Sequence, residues 1–344
     1  MDFAFLFNNF IELTITGLAL GAIYALIALG YTMVYGVLQL INFAHSEVFM
    51  FGTFAAAWTV YAIHGTTSVS QTLTGSIGLI VVALIAAMLT SAAVALLLER
   101  VAYRPLIKRD APKLIILISA IGASFSLAEI MGVRDLLTAR FDAIVGTFGW
   151  HPDLSNRLGN YVDQARNSYS SPVAIDPQPL FSIGNYKVTD VDLLVIGAAL
   201  LMMVALDQFV RRTRFGRGIR AVAQDPESAA LMGVNATRVI QLTFFIGGLM
   251  AGAAALLYML RTGTTRQNVG FIFGVKAFTA AVMGGIGNLR GALLGGFLLG
   301  VVENWGSAVF GAEWKDVVAF VLLVLILLVR PSGLLGESLG KARA

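Results

Sequence analysis

Apolar residues run in long blocks along this chain instead of alternating with polar ones. The blocks near 10–36, 41–63, 76–98, 114–133, 191–210, 238–260, 291–311 and 317–330 carry few charges, and a shorter ninth covers 273–288. Several exceed the roughly 18 residues that a bilayer-spanning helix requires. The pattern predicts an all-α fold, a polytopic helical membrane bundle of about eight to nine transmembrane segments with broken or re-entrant elements.

Composition agrees with the pattern. Hydrophobic residues make up 57% of the chain and charged residues 13%, against about 45–50% and about 25% in soluble domains. The absence of cysteine removes disulfides, thiolate nucleophiles and Cys-ligated metals from consideration. A formal net charge of +4 is small for 344 residues, and the arginines flank apolar blocks, where they report orientation and not nucleic-acid binding. The N-terminal "MDFAFLFNNF" has no basic leader, and the apolar block after it is too long for a signal-peptide core, so the first span is expected to be retained.

Basic residues orient the set, because short Lys- and Arg-rich loops stay in the cytoplasm. "ERVAYRPLIKRDAPK" (99–113), "RRTRFGRGIR" (211–220) and the tail with Lys341 and Arg343 fall on one side if 273–288 crosses completely and the N-terminus lies outside, which gives nine crossings. If either 41–63 or 273–288 is re-entrant, the count drops. The polar connection 134–190 then lies outside, with "HPDLSNRLGNYVDQARNSYS" able to hold a short surface helix.

Glycines are spaced four apart at Gly17/Gly21, Gly248/Gly252, Gly291/Gly295 and Gly296/Gly300. Small residues at this interval let membrane helices approach closely. "AVMGGIGNLRG" (281–291) is different, since its clustered glycines favour a bend.

The sharpest local signal is "AQDPESAALMGVN" (223–235). Asp225 suits an N-cap, Pro226 the first helical position, Glu227 the positive end of the helix dipole and Gly233 a C-terminal cap. Local physics alone makes this a capped connector; a functional role requires a partner for it to push against.

"LGAIYALIALGYTMVYGVLQLINFAHSEVFMFG" (20–52), "GRGIRAVAQDPESAALMGVNATRVIQLTFFIG" (216–247), "VGFIFGVKAFTAAVMGGIGNLRGALLGG" (269–296) and "KDVVAFVLLVLILLVRPSGLLG" (315–336) resemble, in order, the membrane permease subunits of high-affinity branched-chain amino acid ABC importers. The resemblance implies a single permease domain over 1–344, with 134–190 as an extracytoplasmic insertion and 211–237 as a cytoplasmic coupling loop. It implies a second homologous permease, two ATPase subunits, and a periplasmic binding protein that delivers leucine, isoleucine or valine. No cofactor is expected in this chain; ATP and magnesium would sit in the ATPases, and no G-x-x-x-x-G-K-[ST] loop occurs here. Lipid is the expected surround, with no nucleic acid. Within the coupling loop, Glu227, Ala229, Ala230 and Gly233 are the positions that resemble the family's coupling element, and together with the helix-opening Asp225 and Pro226 they are the candidate contacts to the ATPases.

Two departures stand out. The family's His-Gly-Glu is His45-Ser46-Glu47 here, and 134–190 is longer than the pattern. His45 and Glu47 stand in a run otherwise suited to lipid, where an ionisable group costs about 2.5–3.5 kcal/mol at mid-span. Their position near the cytoplasmic end of the block permits an interfacial pair that fixes the break after "YGVLQL". The alternative is that Asn42, His45 and Glu47 line or gate the translocation path. Metal ligation fits poorly: His-x-Glu lacks the i, i+4 spacing of helical zinc sites, and nothing brings His64 or His151 to it. Lys276 and Glu303 invite the same comparison, pairing with each other or the second permease against a role in the path, and Glu129 is expected to pair. A urea or short-amide importer remains open within the class, an ion-coupled secondary transporter outside it. No motif of a membrane enzyme is present.

Overall fold

Each apolar block folds as a helix in the computed structural model, which describes residues 3–64, 69–147, 169–170, 173–184 and 186–336. In chain order the helices are α1 (Phe3–Asn8), α2 (Phe10–Leu38), α3 (His45–His64), α4 (Ile77–Leu98), α5 (Arg104–Ile107), α6 (Lys113–Thr147), α7 (Asp190–Arg212), α8 (Arg214–Gln224), α9 (Pro226–Leu231), α10 (Ala236–Thr262), α11 (Val269–Gly284), α12 (Leu289–Phe310) and α13 (Lys315–Val329). A π turn, Glu99–Tyr103, joins α4 to α5. Among the described residues, seven helical stretches are long and apolar enough to cross a membrane: α2, α3, α4 continued to Ile107, the first part of α6, α7, α10 and α12. The apolar α11 and α13 have 16 and 15 residues, about 24 Å or less at 1.5 Å per residue, short of a hydrocarbon core of about 30 Å.

Two helices that are apolar all round, α2 and α10, form the centre, as expected for helices with no face left for water. The glycine pairs set how closely the rest approach. A methyl on Gly17 would lie 2.8 Å from Val301 Cα, one on Gly21 2.8 Å from Phe297 Cα, and one on Gly296 2.6 Å from Ala25 Cα, so the α2 and α12 pairs interlock. Gly248 and Gly252 press on Ala92 and Met88 of α4, and Gly291 and Gly295 on Gly284 and Ala280 of α11. All four pairs read from the sequence lie at helix crossings. Apolar side chains on α4, α6, α7 and α13, such as Val81, Ile118, Leu201 and Val324, point outward.

Polar contacts sort the helix ends into two groups. Asn304 Nδ2 donates to Leu13 O (3.0 Å) and Thr16 Oγ1 (2.6 Å), and Arg261 pairs with Asp192 at 3.0 Å, which gathers the starts of α2 and α7 with the ends of α10 and α12. At the opposite end Leu334 N donates to Met283 O (2.8 Å), Asn288 Nδ2 to Leu335 O (2.8 Å), and Arg290 pairs with Asp207 at 3.2 Å. The glycine-rich 281–291 stretch is therefore a tight turn between α11 and α12 at this second end, with Gly285 and Gly287 at φ 104° and 95°.

Two expectations change. The connection 134–190 is not all loop among the described residues: α6 continues to Thr147, and strands β1 (Val69–Thr72) and β3 (Val173–Asp176) pair in parallel. The short β2 (Tyr169–Ser170) pairs with β6 (Thr264–Thr265), and β4 (Pro179–Ile183) with β5 (Tyr186–Thr189). The basic stretch 211–220 is mostly the helix α8, whose Gly216, Ile219 and Val222 are buried while its arginines face out. His151, Lys341, Arg343 and most of the suggested 151–170 surface helix lie outside the described residues.

Candidate functional site

Gln39 ends α2 in the left-handed conformation (φ 51°), and the chain turns back so that α3 starts inside the bundle. His45 lies against Gly30, in the interior of α2, and 3.6 Å from a methyl built on Gly247, near the middle of α10. The interfacial reading of His45 and Glu47 is corrected by this placement. Asn42, His45, Ser46 and Glu47 are 2, 1, 4 and 1% exposed. A place at the cytoplasmic end of an apolar block does not bring solvation when the backbone folds inward.

Neighbours make the burial tolerable in part. Tyr103 donates to Asn42 Oδ1 (2.8 Å), and the Tyr31 ring meets His45 edge-on at 5.0 Å. Ser46 and Ser124 both donate to Glu47 Oε1 at 3.3 Å. Asn42 Nδ2, His45 Nε2 and Glu47 Oε2 make no hydrogen bond. Glu47 sits in the first turn of α3 and also against the first turn of α11, since its Oε2 lies 2.8 Å from a methyl built on Gly270. Two helix N-termini, each with unpaired N–H groups and a positive dipole end, therefore flank one carboxylate. Ser46, the departure from His-Gly-Glu, is seated on Gly274, where any added methyl would strike its Cβ. Sequence reading passed over Gly270/Gly274, although the four-residue spacing that marks the other pairs is present there too. It also missed Gly30, Tyr103 and Ser124, which no local pattern connects to 42–47.

Lys276 and Glu303 do come together. Lys276 Nζ is 2.7 Å from Glu303 Oε1 and 2.7 Å from Asp316 Oδ1, Lys315 Nζ is 3.6 Å from Glu303 Oε1, and Tyr24 donates to the same oxygen at 3.2 Å. The cluster ties α2, α11, α12 and α13. It does not include His45 or Glu47. Glu129 instead accepts from Gln267 Nε2 at 3.3 Å. Among the described residues no group of three His, Cys, Asp or Glu side chains is placed to hold a metal, and His64 lies at the far end of α3 from His45.

The 225–233 segment forms as its residues dictate. Asp225 Oδ1 accepts from the backbone N–H of Glu227 (3.0 Å) and Ser228 (3.3 Å), Pro226 opens α9, and Gly233 closes it at φ 83°. Ala229 is buried, whereas Glu227 and Ala230 are exposed. At the tip, Leu231 and Met232 are 89 and 85% exposed. One residue, Asp225, separates α9 from α8, and α8 packs against α2, α7 and α10.

This combination of a central glycine-meshed bundle and an exposed capped helix lies within residues 13–327, which match the family model described as the branched-chain amino acid transport system / permease component. The chain belongs to the branched-chain amino acid ABC permease family. The permease is 39% identical over 332 residues to the high-affinity branched-chain amino acid transport system permease protein BraD of Pseudomonas aeruginosa, covering 96% of each chain. It is 39% identical over 331 residues to the LivH permease proteins of Salmonella typhimurium and Escherichia coli, covering 96% of this chain and 97% of theirs. A multi-pass protein of the inner membrane accounts for the apolar outer faces of this permease. Both polar clusters and the capped helix fall inside the matched residues.

Proposed function

We propose that this permease supplies, with a second homologous permease, the path by which leucine, isoleucine and valine cross the inner membrane. The observation that carries the reading is full-length similarity to proteins named for branched-chain amino acid transport. Two ATPase subunits dock beneath the pair, and a periplasmic binding protein feeds it from outside. The chain makes about eight to nine crossings, with the short α11 and α13 among the elements that complete the bundle; 134–190 is the extracytoplasmic insertion and 211–237 the coupling loop.

In this reading, α9 meets the ATPases through Leu231 and Met232, whose apolar side chains stand exposed at its tip. ATP binding closes the ATPases, α9 moves with them, and α8 passes the motion to α2, α7 and α10 through its buried face. The bundle then switches which side is open. A decisive switch from 1:99 to 99:1 requires a differential of about 5.5 kcal/mol, which the separate ATPases must provide. Asn42, His45 and Glu47 lie at the meeting of two helices that both begin inside the bundle. That is where discontinuous helices of transporters place their binding and gating groups.

Initial uptake of labelled leucine, with labelled urea in parallel, in cells with and without this chain tests the substrate class. Loss of leucine uptake alone on deletion is expected; loss of urea uptake alone would transfer the protein to the short-amide branch. Glu227→Lys should abolish leucine uptake while the chain remains inserted, and undiminished uptake by that variant would sink the coupling assignment.

A further inference from the structure

The cluster around Lys276 is graded from outside to inside. The Asp316 side chain is 64% exposed, Lys315 33%, Lys276 9% and Glu303 0%. Two cations and two carboxylates give no net charge. A structural ion pair of this depth is normally saturated with hydrogen bonds, because each unmatched charged atom carries an uncompensated desolvation penalty. Here Glu303 Oε1 is crowded by Lys276, Lys315 and Tyr24, while Glu303 Oε2 is buried with no partner. Beside it, Phe273 stands one turn before Lys276 on α11, half-buried, with its ring 5.5 Å from Tyr24 and 4.8 Å from Tyr258. Opposite charges, an unpartnered carboxylate oxygen and an apolar aromatic wall thus occur together.

We infer that this cluster is a transit subsite for a zwitterionic α-amino acid: the substrate carboxylate exchanges with Asp316 on Lys276 and Lys315, and its ammonium takes the unpartnered oxygen of Glu303. The inference rests on the branched-chain reading above. Exchange is the physical point. A zwitterion adds one charge of each sign, so the net charge of the site is the same before and after binding. Because the entering carboxylate must displace an existing partner at 2.7 Å, the net gain is small. A path site needs that weakness, since uniformly tight binding would slow release. The aliphatic side chain lies along Phe273 and Tyr24.

The test uses the complete importer in proteoliposomes, with binding protein present, and reads leucine transported per ATP hydrolysed. Lys276→Met combined with Glu303→Gln removes both buried charges together and so leaves neither uncompensated, a change that buried pairs often tolerate. The expected result is a fall of about ten-fold in leucine per ATP, with binding-protein-stimulated hydrolysis within about two-fold of wild type. Asp316→Asn, at the exposed edge, should lower the ratio by about three-fold. An unchanged ratio in the double variant overturns the inference, and so does loss of assembly or a matched fall in transport and hydrolysis, since both assign the cluster to packing. If the wild-type importer carries no leucine, the branched-chain reading itself fails; if wild type carries leucine and the variants are indifferent, only the subsite fails.

Discussion

The start of α3 and the segment leading into α10 are both short polar interruptions between apolar helices, and they are built in opposite ways. At 225–233 the polar contacts are local: Asp225 bonds Glu227 and Ser228, and Gly233 supplies its own positive φ. At 42–47 the partners come from far along the chain, Tyr103, Ser124, Gly30, Gly270 and Gly274. The first is solvated and presents its tip outward; the second is buried and leaves three polar atoms without partners. Local encoding suits a surface that a partner must find, and distributed encoding suits a junction whose geometry the whole bundle holds.

Variants should separate the two regions in order of severity. Glu47→Lys puts a cation between two positive helix ends in a buried site, an uncompensated charge worth about 3–5 kcal/mol. The expected outcome is no assembled permease in fluorescence-detected gel filtration, and a monodisperse, stable variant would break the claim that helix N-termini hold this carboxylate. Gly274→Ala sets a methyl against Ser46, and overpacking of this kind costs about 1–3 kcal/mol. Thermal midpoint should drop, and adding Ser46→Gly in the same chain should recover most of the loss. Failure of that rescue would mean the contact does not set the α3–α11 approach.

Changes at 225–233 should be milder and confined to the segment. Gly233→Val forces a branched residue into a left-handed conformation, about 1–2 kcal/mol, paid where α9 ends. Leucine uptake should fall with the melting midpoint of the bundle nearly unmoved; parallel loss of both would show that the segment is not independent. The smallest effect is a pH response. The Ser228 hydroxyl, followed by backbone N–H groups, holds the Asp225 carboxyl below the ordinary carboxylate range. A lowered folded value means that the cap's contribution is present above the ordinary value of about 3.9 and is lost as pH falls through the folded one. Hydrogen-exchange protection of α9, corrected for intrinsic rates, should step down in that acid range, and Asp225→Asn should remove the step.

The same contrast explains what could be read in advance. The block 10–36 became Phe10–Leu38 and 238–260 became Ala236–Thr262, because length and apolarity are properties of contiguous residues. The caps at Asp225 and Gly233 followed for the same reason. The helix α8 was hidden because its three arginines equal its three buried positions in number, and so short a period does not stand out from the charge of the stretch. The burial of His45 was hidden because one left-handed residue, Gln39, reverses the chain, and a place at the end of the 41–63 block then no longer means exposure.

By itself, then, the sequence determined an apolar multi-helix chain, its family, its close-packing glycines and a capped helix at residues 226–231, since each depends on neighbours in the chain or on spacing along one helix. Only the tertiary structure decided that Glu47 lies between the first turns of α3 and α11, that Lys276 meets Glu303 and Asp316, and that Gly274 makes room for Ser46. Those outcomes depend on which helix faces are brought together, and burial, charge pairing and steric fit between distant residues exist only after that choice is made.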